Sequence, residues 1–395
     1  MEKANWKIAT SLFILFIPFS WAQVAIGSIY RILTIILVGY VLLKSKGKFF
    51  IKKSNEKGFG SFFVYIFYCT ITNFWNKSFN SGILNSMGLG LIFIVFFIFA
   101  TERYTKDYQR FLEKCWIIVG FLSVILFKLG RTSVGEYGSR TSLKLLGTAT
   151  DPNEFSGLFI ISIGFTLLFF LQVDKLIKKL ALGLLIFMQL YVTILSGSRG
   201  SLISVIFMMI YTFILNKKIN VKLLLKFLIL VVILCLLLYK LIIPIVPEDI
   251  LNRLSIQALI IDGGSGRSDI WKDALEQMIS GSIINFIFGH GVDGILAGGI
   301  HITRTMHNQF VQNFVCYGCI GLILYVNFIF NIFKLLNKYN KKYIGIFFGM
   351  LIMSMTITMG PSYKPLWLFM YMALVHPYKK RRKLELDEKI FYNYS

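Results

Sequence analysis

Uninterrupted apolar runs long enough to cross a bilayer dominate this chain. Stretches such as LGLIFIVFFIFA (residues 89–100) and FSGLFIISIGFTLLFF (residues 155–170) recur from end to end of the 395 residues. A helix needs about 17–25 apolar residues to traverse hydrocarbon. Backbone amides inside a bilayer have no water to bond, so such runs must close their hydrogen bonds within the segment, as helices do. The alternation in roughly ten-residue pieces that marks a membrane barrel is absent. At 56% hydrophobic and 15% charged residues, with mean hydropathy +0.69, the composition lies outside the soluble range of about 45–50% apolar and about 25% charged. The expected fold is an all-α polytopic membrane protein of about twelve spans, near residues 8–22, 26–43, 59–75, 83–100, 115–130, 154–171, 180–196, 200–215, 223–246, 308–333, 343–360 and 365–377.

The net charge of +23 reports orientation. Alternate connections are basic: KSKGKFFIKK (44–53), ERYTKDYQRFLEK (102–114), DKLIKK (174–179), NKKINVK (216–222), KLLNKYNKK (334–342) and the tail KKRRK (379–383). Most of the Lys and Arg residues therefore fall on one side, and the positive-inside rule places that side, with both termini, in the cytoplasm. A nucleic-acid partner is not needed to explain the charge. The first apolar run lacks a small-residue cleavage site and reads as the first span. The cysteines lie within or beside apolar runs. The CYGC pair, Cys316 and Cys319, falls inside the tenth span without a second pair, which reads as packing rather than metal binding.

Two outward connections are long, 131–153 and 247–307. No internal repeat is visible, which disfavours a transporter of duplicated halves. The expected organisation is a single membrane domain, residues 1–395, with the second loop as an outer subdomain. Within that loop, SDIWKDALEQMIS places Ile270, Trp271, Ala274, Leu275, Met278 and Ile279 on one face of a short amphipathic helix, with Ser268 as its N-cap.

Four stretches place polar chemistry at the outward edge. LSGSRGSLIS sets Arg199 among Ser and Gly between two apolar runs. It reads either as a tight hairpin whose arginine snorkels to headgroups or as an anion site, where a guanidinium forks onto phosphate oxygens. GGSGRSD carries Arg267 into a helix start, where backbone N–H groups favour an anion. GTATDPNEFSG offers Asp151 as a helix cap, with Asn153 entering the span, and Arg140 precedes it in the same basic loop. RTMHNQF places His307 at the lip of the tenth span, with His301, Arg304 and Asn308 near it in sequence. A histidine of ordinary pKa, near 6.5, serves as a general base at neutral pH. His290, in FGHGVDG, reads as a turn or substrate loop, and His376, beside the basic tail, as incidental. No Walker loop, HExxH or outward acidic pair is present, so neither a cofactor nor a metal site is expected.

DPNEFSG, SGSRGS, GRSDIW and GHGVDG…HNQFVQNFVCYGCIGLILY occur in this order along residues 130–330. In that order, and with a large loop between spans nine and ten, they resemble the O-antigen ligase and polymerase family of bacterial polysaccharide assembly, membrane glycosyltransferases of the GT-C class. The resemblance implies metal-independent, inverting glycosyl transfer on the outer face of the inner (plasma) membrane, with an undecaprenyl-pyrophosphate-linked glycan as donor. It implies that Arg199 and Arg267 hold the pyrophosphate and that His307 is the base, with Asn308, Arg304, His301, Arg140, Asp151 and Asn153 supporting them or gripping glycan. A co-polymerase that regulates chain length is the candidate protein partner. Polymerisation of repeat units is the preferred reading; ligation of polymer to lipid A core and transport of lipid-linked glycans are the alternatives.

Overall fold

The structure is a computed structural model, described here for residues 6–24, 27–46, 49–75, 79–133, 140–216, 240, 244, 246–255, 257–258, 266–292, 305–361 and 363–377. It is almost entirely helical. In chain order the helices are α1 (Lys7–Leu15), α2 (Ile29–Ser45), α3 (Glu56–Ile71), α4 (Phe79–Thr101), α5 (Lys106–Gly130), α6 (Pro152–Phe170), α7 (Leu176–Leu195), α8 (Arg199–Asn216), α9 (Glu248–Leu254), α10 (Arg267–Ser280), α11 (Ile283–Phe288), α12 (Gln309–Tyr339), α13 (Ile344–Ser354) and α14 (Lys364–Tyr371). Four of them, α4, α6, α7 and α12, are long and apolar enough to cross a membrane. The ninth expected span, 223–246, lies almost wholly outside the described residues.

Helix α6 is the axis of the bundle. It is buried along nearly its whole length and packs on α5, α7, α8 and α13. Small residues permit the close approach of helices that have no hydrophobic drive to associate in lipid. The outer faces expose Ile35, Ile36, Leu84, Leu184, Ile203 and Ile206, a solution open to a chain whose solvent is hydrocarbon.

One end of the bundle is closed by a polar lock. Glu113 takes hydrogen bonds from Lys342 Nζ at 2.6 Å and from the Tyr343 hydroxyl. Gln109 donates to Asn340 at 2.7 Å, and Asn340 donates to the carbonyls of Met372 and Val375. His376 is not incidental: it is buried, stacks on Tyr339 with ring centroids 4.0 Å apart, and lies 2.9 Å from Asn55 Oδ1.

The other end carries the irregular structure. A short hairpin, β1 (Gln23–Val24) and β2 (Gly27–Ser28), follows α1. The loop after α5 folds into an antiparallel three-stranded sheet ordered β3 (Arg131–Ser133), β4 (Thr141–Leu145), β5 (Thr148–Ala149). Leu143 is its buried anchor, and Thr141 donates to the carbonyl of Leu195 at 2.8 Å, fastening the sheet over the end of α7.

Several expected spans depart from regular helix: the first, 8–22, ends as α-helix at Leu15 and the twelfth, 365–377, at Tyr371, and two more do so beside the site. The eleventh, 343–360, ends as a helix at Ser354, and residues 355–361 continue as irregular chain into Gly360–Pro361. The amide of Met359, which this break frees, donates to Gln309 Oε1 at 2.6 Å. The tenth, α12, is broken at Gly318, whose φ is +66°. Gly289 crosses it so closely that a Cβ on Gly318 would sit 2.2 Å from the Ile287 carbonyl oxygen. Only glycine combines that φ with that approach. The carbonyls released by the break are taken up locally: His290 N–H donates to Val315 O at 3.0 Å, Gly291 N–H to Cys316 O at 2.9 Å, and Tyr68 Oη to Tyr317 O at 3.1 Å. Irregular backbone at membrane depth is tolerated only where protein satisfies it in this way. His290 thus belongs to a segment that stitches α11 to the break.

Candidate functional site

The site grows from three helix starts and one sheet edge that meet at the same end of the bundle. The α7–α8 connection is a tight hairpin. Ser196 ends α7, Gly197 turns the chain with φ +60°, and Arg199 opens α8. Ser198, just before α8, lies 2.9 Å from the hydroxyl of Ser201. The guanidinium of Arg199 is anchored on one edge: its Nε donates to the carbonyl of Arg253 at 2.6 Å. Arg253 answers by donating from Nε to the carbonyl of Gly197 at 3.2 Å. A Cβ on Gly197 would touch both Arg253 and Arg140, at 3.4 and 3.5 Å. The hairpin is thus the seat against which three arginines pack.

Arg140 comes from the edge of the sheet. It donates from Nε to the carbonyl of Ser196 at 3.0 Å and from a terminal nitrogen to Asn153 Oδ1 at 2.8 Å. Burial pushes its guanidinium down to about 10; the neighbouring charge of Arg253 acts in the same direction, Asp151 opposes, and Arg267 adds to the lowering. Two further cations therefore act on Arg140 against one carboxylate. At neutral pH it stays charged, in surroundings that favour an added anion.

Asp151 and Asn308 have structural work. Asp151 Oδ1 caps α6, accepting from the amides of Asn153 and Glu154 at 2.7 and 3.1 Å. Asn308 Oδ1 caps α12 through Phe310 and Val311 at 2.9 and 3.2 Å. Asn153 orients Arg140.

Helix α10 carries Arg267 at its first position. The helix starts at Arg267 behind Gly266, so the expected N-cap, Ser268, lies inside it, and the N-cap position belongs to Gly266 in the left-handed conformation. Its buried stripe is narrower than expected: Ala274 and Met278 are buried, whereas Leu275 and Ile279 are exposed. Trp271, one turn after Arg267 and on the same side, donates its indole N–H to the carbonyl of Met306 at 2.6 Å. That bond fastens the helix, with its arginine, to the turn that presents His307. The amide of Met306 donates in turn to Gln312 Oε1 at 3.1 Å.

His307 itself is half-buried with φ +47°. Thr305 Oγ1 lies 3.4 Å from its Nε2. A non-glycine residue in the left-handed region is uncommon, and such conformations gather at functional sites when their surroundings hold them. Here the cap of Asn308 on one side and the Trp271–Met306–Gln312 bonds on the other do the holding. His301 and Arg304 lie outside the described residues.

Arg253, Gln309 and Gln312 escaped sequence reasoning, and Trp271 was expected only as part of an apolar helix face. Arg253 carries no motif. The glutamines had a signal, because HNQFVQN repeats polar residues at helical spacing on a span that should be apolar. Among the described residues, no group of three or more His, Cys, Asp or Glu is placed to hold a metal ion.

A helical membrane protein with an arginine cluster and a histidine turn gathered at one end of its bundle is the class that fold and site define. Residues 184–326 match the family model described as O-antigen ligase. It is a family of membrane enzymes that act by glycosyl transfer on lipid-linked glycans. The matched segment contains Arg199, Arg253, Arg267 and His307; Arg140, Asp151 and Asn153 lie before it. No curated protein matches the chain.

Proposed function

We propose that the chain polymerises undecaprenyl-pyrophosphate-linked oligosaccharide repeat units into O-antigen or capsular polysaccharide on the outer face of the inner membrane. The observation that carries this reading is the joining of four arginines, through the α7–α8 hairpin and the Trp271 bond, to the turn of His307. In the reaction His307 takes the proton from an acceptor sugar hydroxyl. The hydroxyl oxygen attacks the anomeric carbon of the donor from the face opposite the leaving group. The bond from that carbon to the pyrophosphate oxygen breaks, and its electron pair leaves with the lipid pyrophosphate. Charge grows on that group as the bond breaks, so preplaced guanidinium groups stabilise the transition state more than the ground state. Arg199, Arg253, Arg267 and Arg140 supply them, and no metal is required in this scheme.

The family match favours a second reading, in which the acceptor is lipid A core and the enzyme is a ligase. Both use the same donor and the same base. A gel of surface polysaccharide and of extracted lipid-linked intermediates from a strain lacking the gene separates them. Accumulated single repeat units with absent polymer are the expected result. Full-length polymer left on its undecaprenyl carrier would replace the polymerase with the ligase. Repeat units trapped on the cytoplasmic side would replace both with a transporter.

A further inference from the structure

The second long loop contains a stretch without charge: residues 277–292 carry no Asp, Glu, Lys or Arg. They hold the end of α10, the whole of α11 and the glycine turn that crosses the break in α12. Two helices fix the depth of that turn. On α12, which is long and apolar enough to cross a membrane, His290 and Gly291 donate to the carbonyls of Val315 and Cys316. At 1.5 Å per residue, those carbonyls lie about 10 Å below the first residue of the helix. On α3, the hydroxyl of Tyr68 donates to the carbonyl of Tyr317 at 3.1 Å and reaches that of Phe288 at 3.4 Å. Tyr68 precedes the end of α3 by a turn, and Phe67 beside it is exposed on the outer face of the bundle, as are Phe74 and Trp75 beyond it. Phe288 is thus level with side chains that belong against hydrocarbon. Helix α11 has two faces there. One packs on α12, Phe286 edge-on to Phe314 with ring centroids 5.5 Å apart. The other exposes Ile283 and Ile284, at 68% and 64%, and Ile279 and Phe288 continue the patch. Phe288 meets Trp75 edge-on at 6.4 Å, which joins the patch to the exposed flank of α3. The backbone closes its bonds without water at both ends of α11: Ser282 Oγ accepts from Ile284 N–H at 3.2 Å, and Gly289 N–H donates to the carbonyl of Asn285 at 2.7 Å. The charged side of α10 comes earlier, where the well-exposed Lys272 and Glu276 pair at 3.9 Å.

A contiguous apolar patch held out into water is unfavourable, and backbone closed on the protein itself is what hydrocarbon demands. A helix with one charged and one apolar side, followed by an uncharged turn, suits the boundary between headgroups and acyl chains. We infer that the α10–α11 elbow is a re-entrant element sunk into the leaflet on the arginine side of the membrane, with Ile279, Ile283, Ile284 and Phe288 against lipid acyl chains. The occupant is lipid because the patch continues the exposed flank of α3, a surface that already faces lipid. The charged part of α10 then sits at headgroup level, and Arg267, at the first position of that helix, is carried with it. The long loop serves as a bilayer anchor for the helix that bears one of the site's arginines, in place of the outer subdomain expected from the sequence.

The test places an environment-sensitive fluorescent amino acid at Ile284 of the full-length chain in phosphatidylcholine nanodiscs, and at Ile279 should the first variant not fold. Emission is read against iodide in the water and against lipids that carry a nitroxide on the acyl chain. The same label at Ile35, exposed on α2, gives the hydrocarbon reference, and at Lys272 the aqueous one. The label at Ile284 is expected to lose most of its emission to the nitroxide lipid, as at Ile35, and to keep it in iodide. A loss to iodide as large as that at Lys272 would put the elbow in water and overturn the proposal. Protection from both quenchers would put protein on the patch, a second copy of this chain in the disc, and would overturn it as well. The measurement needs no glycan substrate, so its failure and the failure of the glycosyl-transfer reading are separate results.

Discussion

At the scale of single residues, the site separates groups that hold geometry from groups offered to a substrate. Asp151 and Asn308 are caps, and Asn153 is the orienting partner of Arg140. The imidazole of His307 stands on a backbone that its neighbours hold in a left-handed turn. His307→Ala is expected to abolish polymer while membrane protein level and lipid-linked single units persist. Alanine tolerates positive φ poorly, so His307→Asn is the cleaner variant: asparagine accepts this backbone readily. Normal polymer in the Asn variant would remove the imidazole from the chemistry. Arg199 is anchored through Nε to the Arg253 carbonyl, which fixes the plane of its guanidinium. Arg199→Lys keeps the charge and loses both the anchor and the planar fork. Loss of one charge-assisted hydrogen bond of the fork costs about 1.5–3 kcal/mol, roughly ten- to a hundredfold in rate. The expected result is a fall of roughly ten- to a hundredfold in transfer from a lipid-linked donor in nanodiscs; a near-normal rate would count against bidentate binding. The sequence showed Arg199, Arg267 and His307, because each interrupts an apolar run or opens a helix with a residue that hydrocarbon penalises. It did not show Arg253, whose side chain is seated on the Gly197 carbonyl 56 positions away along the chain.

At the scale of elements, helix positions were legible, because apolar length alone reports them; their interruptions were not. Gly318 lies in an ordinary-looking apolar run, and nothing local says that Gly289 crosses it. The end of α13 at Ser354 was hidden for the same reason: residues 355–360 are apolar enough to continue a span, and the bond that compensates the break comes from Gln309. Both features bear on the site, since the break stitches α11 to α12 and the Met359 bond fixes the first turn of α12. Gly318→Ala must place a Cβ against the Ile287 carbonyl at 2.2 Å and hold φ +66°. The left-handed backbone alone costs roughly 1–2 kcal/mol, and displacement of the crossing strand adds to it. The expected outcome is a lower melting temperature for the detergent-purified protein and reduced transfer. An unchanged melting temperature would mean that α12 can straighten at this point. Trp271→Phe probes the other coupling: it keeps the ring in place and deletes the bond to Met306. Transfer should fall without loss of folded protein, because Arg267 and the His307 turn lose their tie; unchanged transfer would make that bond dispensable.

At the scale of the whole molecule, the two ends of the bundle differ in kind. One end is closed by the Glu113–Lys342–Tyr343 and Asn55–His376 contacts. It is also where α2, α4 and α6 end and where the runs KSKGKFFIKK, ERYTKDYQRFLEK and KLLNKYNKK lie. The other end holds the sheet, the arginines and the His307 turn. Positive-inside bias predicts that the first end faces the cytoplasm, because Lys and Arg in short connections resist translocation. The substrate argument needs the same orientation: an anionic sugar-lipid presented outside the cytoplasm meets the end where cations are gathered into a site rather than scattered as topogenic charge. The two arguments are independent, one from the count of basic connections and one from the geometry of Arg140, Arg199, Arg253 and Arg267, and a topology measurement bears on both. Alkaline phosphatase folds only after export, so fusions within 131–139 and after Gly266 are expected to be active. Fusions after Lys106, after Lys175 and beyond Pro377 should be inactive. Activity at Lys175 with none after Gly266 would invert the molecule and place the arginine cluster in the cytoplasm. The donor would then have to be consumed before export, and the polymerase and ligase readings would fall together.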